Sequence, residues 1–303
     1  MPVERVYWGM RFRALSLVVL CAAAGWAQTS DKKKDPAEIG NRKVATGPNF
    51  YSIERELALG QQLALEVEKQ AKLYQDPIVT EYVNRVTQNL ARHSDVTFPV
   101  TIKILEADPP NAFSLPGGHV FVATGLVRLS ETEAELASAL AHELGHVAAR
   151  HATRQATTEK IASLSKIPLV FLGGPFAGMA AGQAMPLGFL KFSRVFETEA
   201  DLLGLQYLYD AGYDPNAAVD MFERVEALER KTPGALGQLL NTHPITADRI
   251  ARTQKNIDLM LPGKNEYVVN TSEYEDVRRR LVAQQEKQKD LTRPTLARPG
   301  DRP

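Results

Sequence analysis

The sequence predicts an α+β domain, mostly helical, with one small β-sheet next to a central helix. Three observations lead there. Most of the chain between residues 51 and 292 carries apolar residues at helical spacing. An alternating, β-branched run at Phe98–Leu105 predicts a strand, and His119–Ala123, after the Gly117-Gly118 turn, predicts a second. Helix-start signals recur before the apolar runs, most clearly at Asp76-Pro77, Ser130 with Glu133, and Asp214-Pro215.

Arg11 and Arg13 precede the apolar run Ala14–Ala24, and Gly25-Trp26-Ala27 follows it. A basic start, a short apolar stretch and small residues before a cut predict a secretory signal over residues 1–27, and hence an exported protein, periplasmic or secreted, with membrane association as a further possibility. The run is shorter than the roughly 20 residues of a membrane-spanning helix. The only cysteine, Cys21, lies inside this signal after Leu20, which disfavours lipidation, so the mature chain has no disulfide. Equal counts of Lys+Arg and Asp+Glu, 36 each, exclude a basic nucleic-acid-binding chain. Residues 28–50 are polar and lysine-rich and predict a flexible lead-in.

Ile53–Leu73 predicts the first helix. Asp76 as N-cap with Pro77 in the first turn predicts a second, towards His93. The strands Phe98–Leu105 and His119–Ala123 are expected to pair, with turns at Asp108-Pro109-Pro110 and Gly117-Gly118 between them. Ser130 with Glu133 predicts a capping box opening a helix that runs through Arg150. Further helices are expected at 151–165, 192–211, 215–230 and 245–260. A last one is expected from Ser272 with Glu275 as its capping partner. The tail from Arg293, with three prolines, predicts disorder.

The helix that follows the strands carries His142-Glu143-Leu144-Gly145-His146. Residues four apart lie one turn above each other, so His142 and His146 project towards one ion, and Glu143 is placed to reach water on it. The pattern predicts one zinc per chain and hydrolytic chemistry. A catalytic zinc usually takes three protein ligands. His151, five residues beyond His146, would point away from His142 on a continuous helix, and is expected near the helix-end carbonyls instead. Glu197 and Asp201, four apart on an apolar helix, supply two carboxylates on one face, with Glu199 roughly opposite. One would bind metal while the other accepts the free N–H of a ligand histidine.

These blocks resemble metallopeptidase family forty-eight, the family of the CAAX prenyl proteases, HtpX and the BepA-like periplasmic proteases. The resemblance spans roughly residues 50–285 and rests on Asn111–Val122, on H-E-L-G-H-V-A-A-R-H at His142–His151, on Glu197–Asp201, and on Asn241-Thr242-His243-Pro244 with Arg249. It implies a gluzincin-type zinc protease fold, with Glu197 as third zinc ligand and Asp201 as its support. It also implies Glu143 as general base, His243 as a residue that approaches zinc in a resting state, and Arg249 as an aid to the substrate carbonyl or oxyanion. There is no room for a tetratricopeptide array, so a short BepA-like member is expected.

The expected partners are unfolded or unassembled envelope polypeptides, added as a strand to the sheet edge around Gly118–Ala123. The alternative is an envelope chaperone that holds clients in the cleft with little proteolysis. The uncharged segment 167–190 reads as a flap over the cleft, with peripheral membrane contact as the alternative. A crossing would put the bilayer's roughly 30 Å core between His146 and Glu197.

Overall fold

A computed structural model describes residues 32–164, 192–234, 239, 243–244 and 246–292, with the side chains of 161–164 and 288–292 left aside. The signal at 1–27, the segment 167–190, Asn241-Thr242 and the tail from Arg293 lie outside the described residues. Nine α-helices and three strands lie among the described residues, in the order α1 (Ile53–Gln70), α2 (Pro77–Arg92), β1 (Thr101–Leu105), β2 (Ala112–Leu115), β3 (His119–Ala123), α3 (Thr124–Leu129), α4 (Glu133–Ala148), α5 (His151–Leu164), α6 (Arg194–Asp210), α7 (Ala217–Lys231), α8 (Ala247–Met260) and α9 (Ser272–Thr292). This is the mostly helical α+β architecture expected. No helix among the described residues is long and apolar enough to cross a membrane.

Several helix starts follow local chemistry. The Asp76 carboxylate accepts the N–H groups of Ile78 and Val79, with Pro77 at the first helical position. Two caps differ from the expected residues. Thr132, not Ser130, caps α4 by accepting the Glu135 N–H, and Glu135 Oε2 takes the Glu131 N–H. Ser130 instead ends the unexpected short helix α3, its hydroxyl donating to Leu126 O. Likewise Thr271, rather than Ser272, accepts the Tyr274 N–H at the start of α9.

The strand order is β1-β3-β2. β1 runs parallel to β3 with Thr101 opposite His119, and β2 runs antiparallel with Phe113 opposite Phe121. β2 is an addition to the expected pair. β3 is therefore central and paired on both sides, so the expected docking edge around Gly118–Ala123 is not free. Among the described strands, β2 keeps one unpaired edge instead.

The period of two sends alternate residues of β3 to opposite faces. Phe121 stacks on Phe113 and packs with Leu63, Ala64 and Val67 of α1. Val120 and Val122 face the main core with α2 and α4. Within that core Leu136, Ala137, Leu140, Ala141 and Leu144 of α4 are wholly buried, which makes α4 the central helix.

Two further departures bear on the site. Residues 32–50 of the lead-in expected at 28–50 are largely exposed but tied to the domain at several points. The guanidinium of Arg42 pairs with Asp95 while donating to the carbonyls of Lys32, Lys33 and Asp35 and to Gln206, and Val44 is buried. Their polar composition hides this, because the contacts are made to residues far along the chain. The helix expected through Arg150 ends at Ala148, two residues early, and the next begins at His151 as expected. Arg150 has φ 55, a left-handed conformation unusual for a residue with a side chain, and donates to Glu56 and to Tyr51 O. α5 therefore starts at His151 on a new axis.

Candidate metal centre

α4 and α6 cross where neither carries a side chain. A Cβ on Gly145 would lie 2.8 Å from Ala200 O, and one on Gly204 would lie 2.9 Å from the Cα of His142. The two backbones meet at these glycines, which sets the carboxylates of α6 against the imidazoles of α4.

His142, His146, Glu197 and His243 form one group whose donor atoms all lie within 4.8 Å of one another. Nε2 of His142 is 3.0 Å from Nε2 of His146 and 3.6 Å from Glu197 Oε2. Nε2 of His146 is 3.4 Å from Glu197 Oε1. Nδ1 of His243 is 3.3 Å from His142 Nε2 and 3.0 Å from Glu197 Oε1. Four donors about 2.0–2.1 Å from one tetrahedral ion would lie about 3.3 Å apart. The donor set thus fits zinc both in spacing and in its mixture of imidazole and carboxylate. Glu197 Oε2, buried and 3.0 Å from Arg249 Nη1, receives no aligned hydrogen bond, which leaves a lone pair for a cation.

The neighbouring residues hold this cluster. Asp201 Oδ1 lies 3.1 Å from Nδ1 of His142. Arg249 forks onto Asp201, with Nε to Oδ2 at 2.9 Å and Nη2 to Oδ1 at 2.7 Å, and its Nη1 donates to Pro244 O. Arg249 is 5% exposed and its nitrogens are engaged by these groups and Glu197, so its contacts point to positioning rather than to the oxyanion role expected of it. Glu143 is buried, its Oε2 accepts the Ser114 hydroxyl at 2.9 Å, and its Oε1 lies 3.4 Å from Nε2 of His243.

Burial and charge act in opposite directions here. Burial disfavours protonated His142, yet hydrogen bonds to Asp201 and Glu197 push its pKa up to about 10. Burial drives His146 well below its ordinary value. Burial also opposes ionised Glu197, but the charge of His243 and hydrogen bonds from the histidines hold its carboxyl far below the usual range. Asp201 is likewise held low against burial by Arg249 and His142.

Sequence reasoning missed three partners. Ser114 lies on the unforeseen β2, and its one signal is a hydroxyl in an apolar run. His151 is not near helix-end carbonyls. Its Nδ1 is 2.9 Å from Nδ1 of His146, and its Nε2 is 3.0 Å from Glu199 Oε2. Glu199, on the far side of α6 from Asp201, is also met by Arg154 and Lys33. Phe192, stacked on His146 with centroids 4.1 Å apart, completes the wall.

Residues 77–257 match the description "Peptidase family M48". The chain is 30% identical over 271 residues to the beta-barrel assembly-enhancing protease of Escherichia coli (strain K12), covering 85% of this chain and 54% of that protein. It is 32% identical over 241 residues to the protein of that name from Yersinia pestis, covering 74% and 48%. With the mitochondrial metalloendopeptidase OMA1 of Schizosaccharomyces pombe it shares 36% over 182 residues, covering 58% and 52%. The chain spans about half the length of these curated relatives.

Proposed function

We propose that this chain, which belongs to peptidase family M48, is a zinc-dependent endopeptidase whose metal is held by His142, His146 and Glu197, with Glu143 as general base. The observation that carries this reading is the near-tetrahedral spacing of the buried donor atoms, 3.0 to 3.6 Å apart. When bound, zinc supplies Lewis acidity to a scissile carbonyl and lowers the pKa of a water to about 7. Glu143, oriented by the Ser114 hydroxyl, takes that water's proton and passes it to the leaving amine. Asp201 Oδ1, 3.1 Å from Nδ1 of His142, is placed to take that nitrogen's proton and so turn the Nε2 lone pair towards the ion. Arg249 holds Asp201 and Glu197 in place and balances their charge.

His243 is positioned to serve as a fourth donor, which supports a resting state that substrate must open. An extended polypeptide would add to the free edge of β2, where Ser114 faces Glu143. Beside His142 and Glu143 lies an apolar cavity of about 70 Å³, lined by Ala112, Leu126, Leu205, Met221, Phe222 and Val225 among others. It suits one medium-sized apolar side chain next to the cut bond. The bacterial relatives are named for enhancing β-barrel assembly, and this reading takes the substrates to be unfolded or unassembled envelope proteins, met by this chain after export. His243 within the donor set also favours a second reading, in which the cleft holds such clients and cuts them rarely.

The test is cleavage of casein by the wild type, with and without a chelator, against Glu143→Gln. The expected result is zinc-dependent cleavage that falls by about 10²–10⁴ in the variant while bound zinc is retained. Equal cutting by the two proteins sinks the endopeptidase assignment. A zinc-loaded wild type that binds casein without cutting it selects the second reading.

A further inference from the structure

We infer that His151 is a positioning residue for zinc, the first link of a relay running from His146 through His151 to Glu199 and ending on Lys33 in the segment before α1. The inference rests on the metal site proposed above.

The protons of the relay follow from the distances. His146 faces the donor cluster with Nε2, so that nitrogen is bare when it binds metal and the proton resides on Nδ1. Nδ1 of His151 is 2.9 Å away, and two nitrogens at that distance share a single proton. His151 Nδ1 is therefore the acceptor, and a neutral His151 carries its own proton on Nε2. That nitrogen lies 3.0 Å from Glu199 Oε2, which accepts. Glu199 stays ionised in this role because Arg154 donates to the same oxygen at 2.9 Å and Lys33 pairs with the other. His151 is 0% exposed, so no water competes for either nitrogen.

The fold sets up this line with two devices. The left-handed turn at Arg150, tied to Glu56, ends α4 and brings His151 back beside His146. Ring stacking on Phe196, with centroids 4.5 Å apart and planes at 19°, then holds His151 flat. The outcome mirrors the other ligand: Asp201 and Arg249 orient His142, while His151, Glu199, Arg154 and Lys33 orient His146. Lys33 comes from the segment before the first helix, so that segment takes part in holding the metal.

The experiment compares two substitutions in the full chain that separate hydrogen bonding from packing. His151→Phe keeps a ring to stack on Phe196 and removes both nitrogens. His151→Gln loses the ring but keeps one acceptor and one donor. Zinc affinity is read by competition with a chromophoric chelator. The relay predicts that His151→Phe binds zinc about 10–100-fold more weakly than wild type, and that His151→Gln recovers most of the loss. Phenylalanine binding as tightly as glutamine, or more tightly, overturns the relay. A second pair guards against misfolding at the buried position. Glu199→Met should weaken zinc binding several-fold, whereas Glu199→Gln, which still accepts from His151, should stay close to wild type, and equal affinities for the two would also overturn the relay. Wild type with no stoichiometric zinc would refute the metal site itself, a distinct outcome.

Discussion

Replacing Gly204 by alanine would put a methyl group 2.9 Å from the carbonyl carbon and oxygen of Ala141 and 2.9 Å from the Cα of His142. Carbon atoms in comfortable contact sit about 3.5–4.0 Å apart, so α4 and α6 must separate locally by roughly 0.6 Å or more. Neither neighbour is a flexible side-chain end that can swing aside. The displacement passes into the metal cluster, because His142 is on one side of the contact and Glu197 and Asp201 are within two turns on the other. Metal–ligand bonds tolerate about 0.2 Å. Overpacking costs about 1–3 kcal/mol, and alanine's better helix propensity returns up to about 1 kcal/mol.

The metal-free variant should therefore lose between nothing and about 2 kcal/mol, while zinc affinity falls at least about tenfold, or 1.4 kcal/mol. Chelator competition measures the second quantity and urea unfolding of stripped protein the first. Gly263→Ala, where a Cβ meets nothing within 4 Å, is the control and should change neither by more than about 0.5 kcal/mol. A Gly204→Ala protein with wild-type zinc affinity and raised stability would refute the claim that this backbone contact sets the site.

His243→Ala should raise basal casein cleavage several-fold if the residue holds a resting state, and an unchanged or lower rate removes that role. Arg249→Met leaves Asp201 and Glu197 buried beside an apolar chain and should cost about 3–5 kcal/mol in urea unfolding. Arg249→Lys should recover little, because one ammonium cannot fork across a carboxylate. A lysine variant as stable as wild type would contradict the fork. Burial opposes ionised Glu199, but His151, Lys33 and Arg154 lower its pKa from 4.5 to about 2, so its stabilisation is complete above pH 4.5 and is lost as pH falls towards 2. In stripped protein Glu199→Gln should be less stable at pH 7 by about 1–2 kcal/mol after allowing for solvent screening. The gap should narrow below pH 4.5, and a gap constant down to pH 3 would sink the argument.

The readable parts of the fold were those with a local cause. Asp76-Pro77 starts α2 because both the cap and the proline act within one turn. The caps at Thr132 and Thr271 were displaced because neighbouring serine and threonine residues offer equivalent hydroxyls, and the choice between them depends on where the preceding element ends. β2 escaped notice because all four of its residues are buried, so no alternation marks it. Residues 32–50 look disordered by composition, yet the buried pair of Arg42 and Asp95 spans half a hundred positions and leaves no local trace.

By itself the sequence determined that His142 and His146 share a helix face with Glu143 between them, and that Glu197 and Asp201 share another, since helical periodicity is a local property. Only the tertiary structure decided how those faces meet. It put the backbones together at Gly145 and Gly204, directed Glu197 to the donor atoms and Asp201 to His142, and turned Arg249 onto both carboxylates. It also brought His151 back to His146, through a left-handed turn at Arg150 where the sequence marked only a helix boundary. Each of these depends on burial of charge, which is stable only when a partner distant in sequence arrives to meet it.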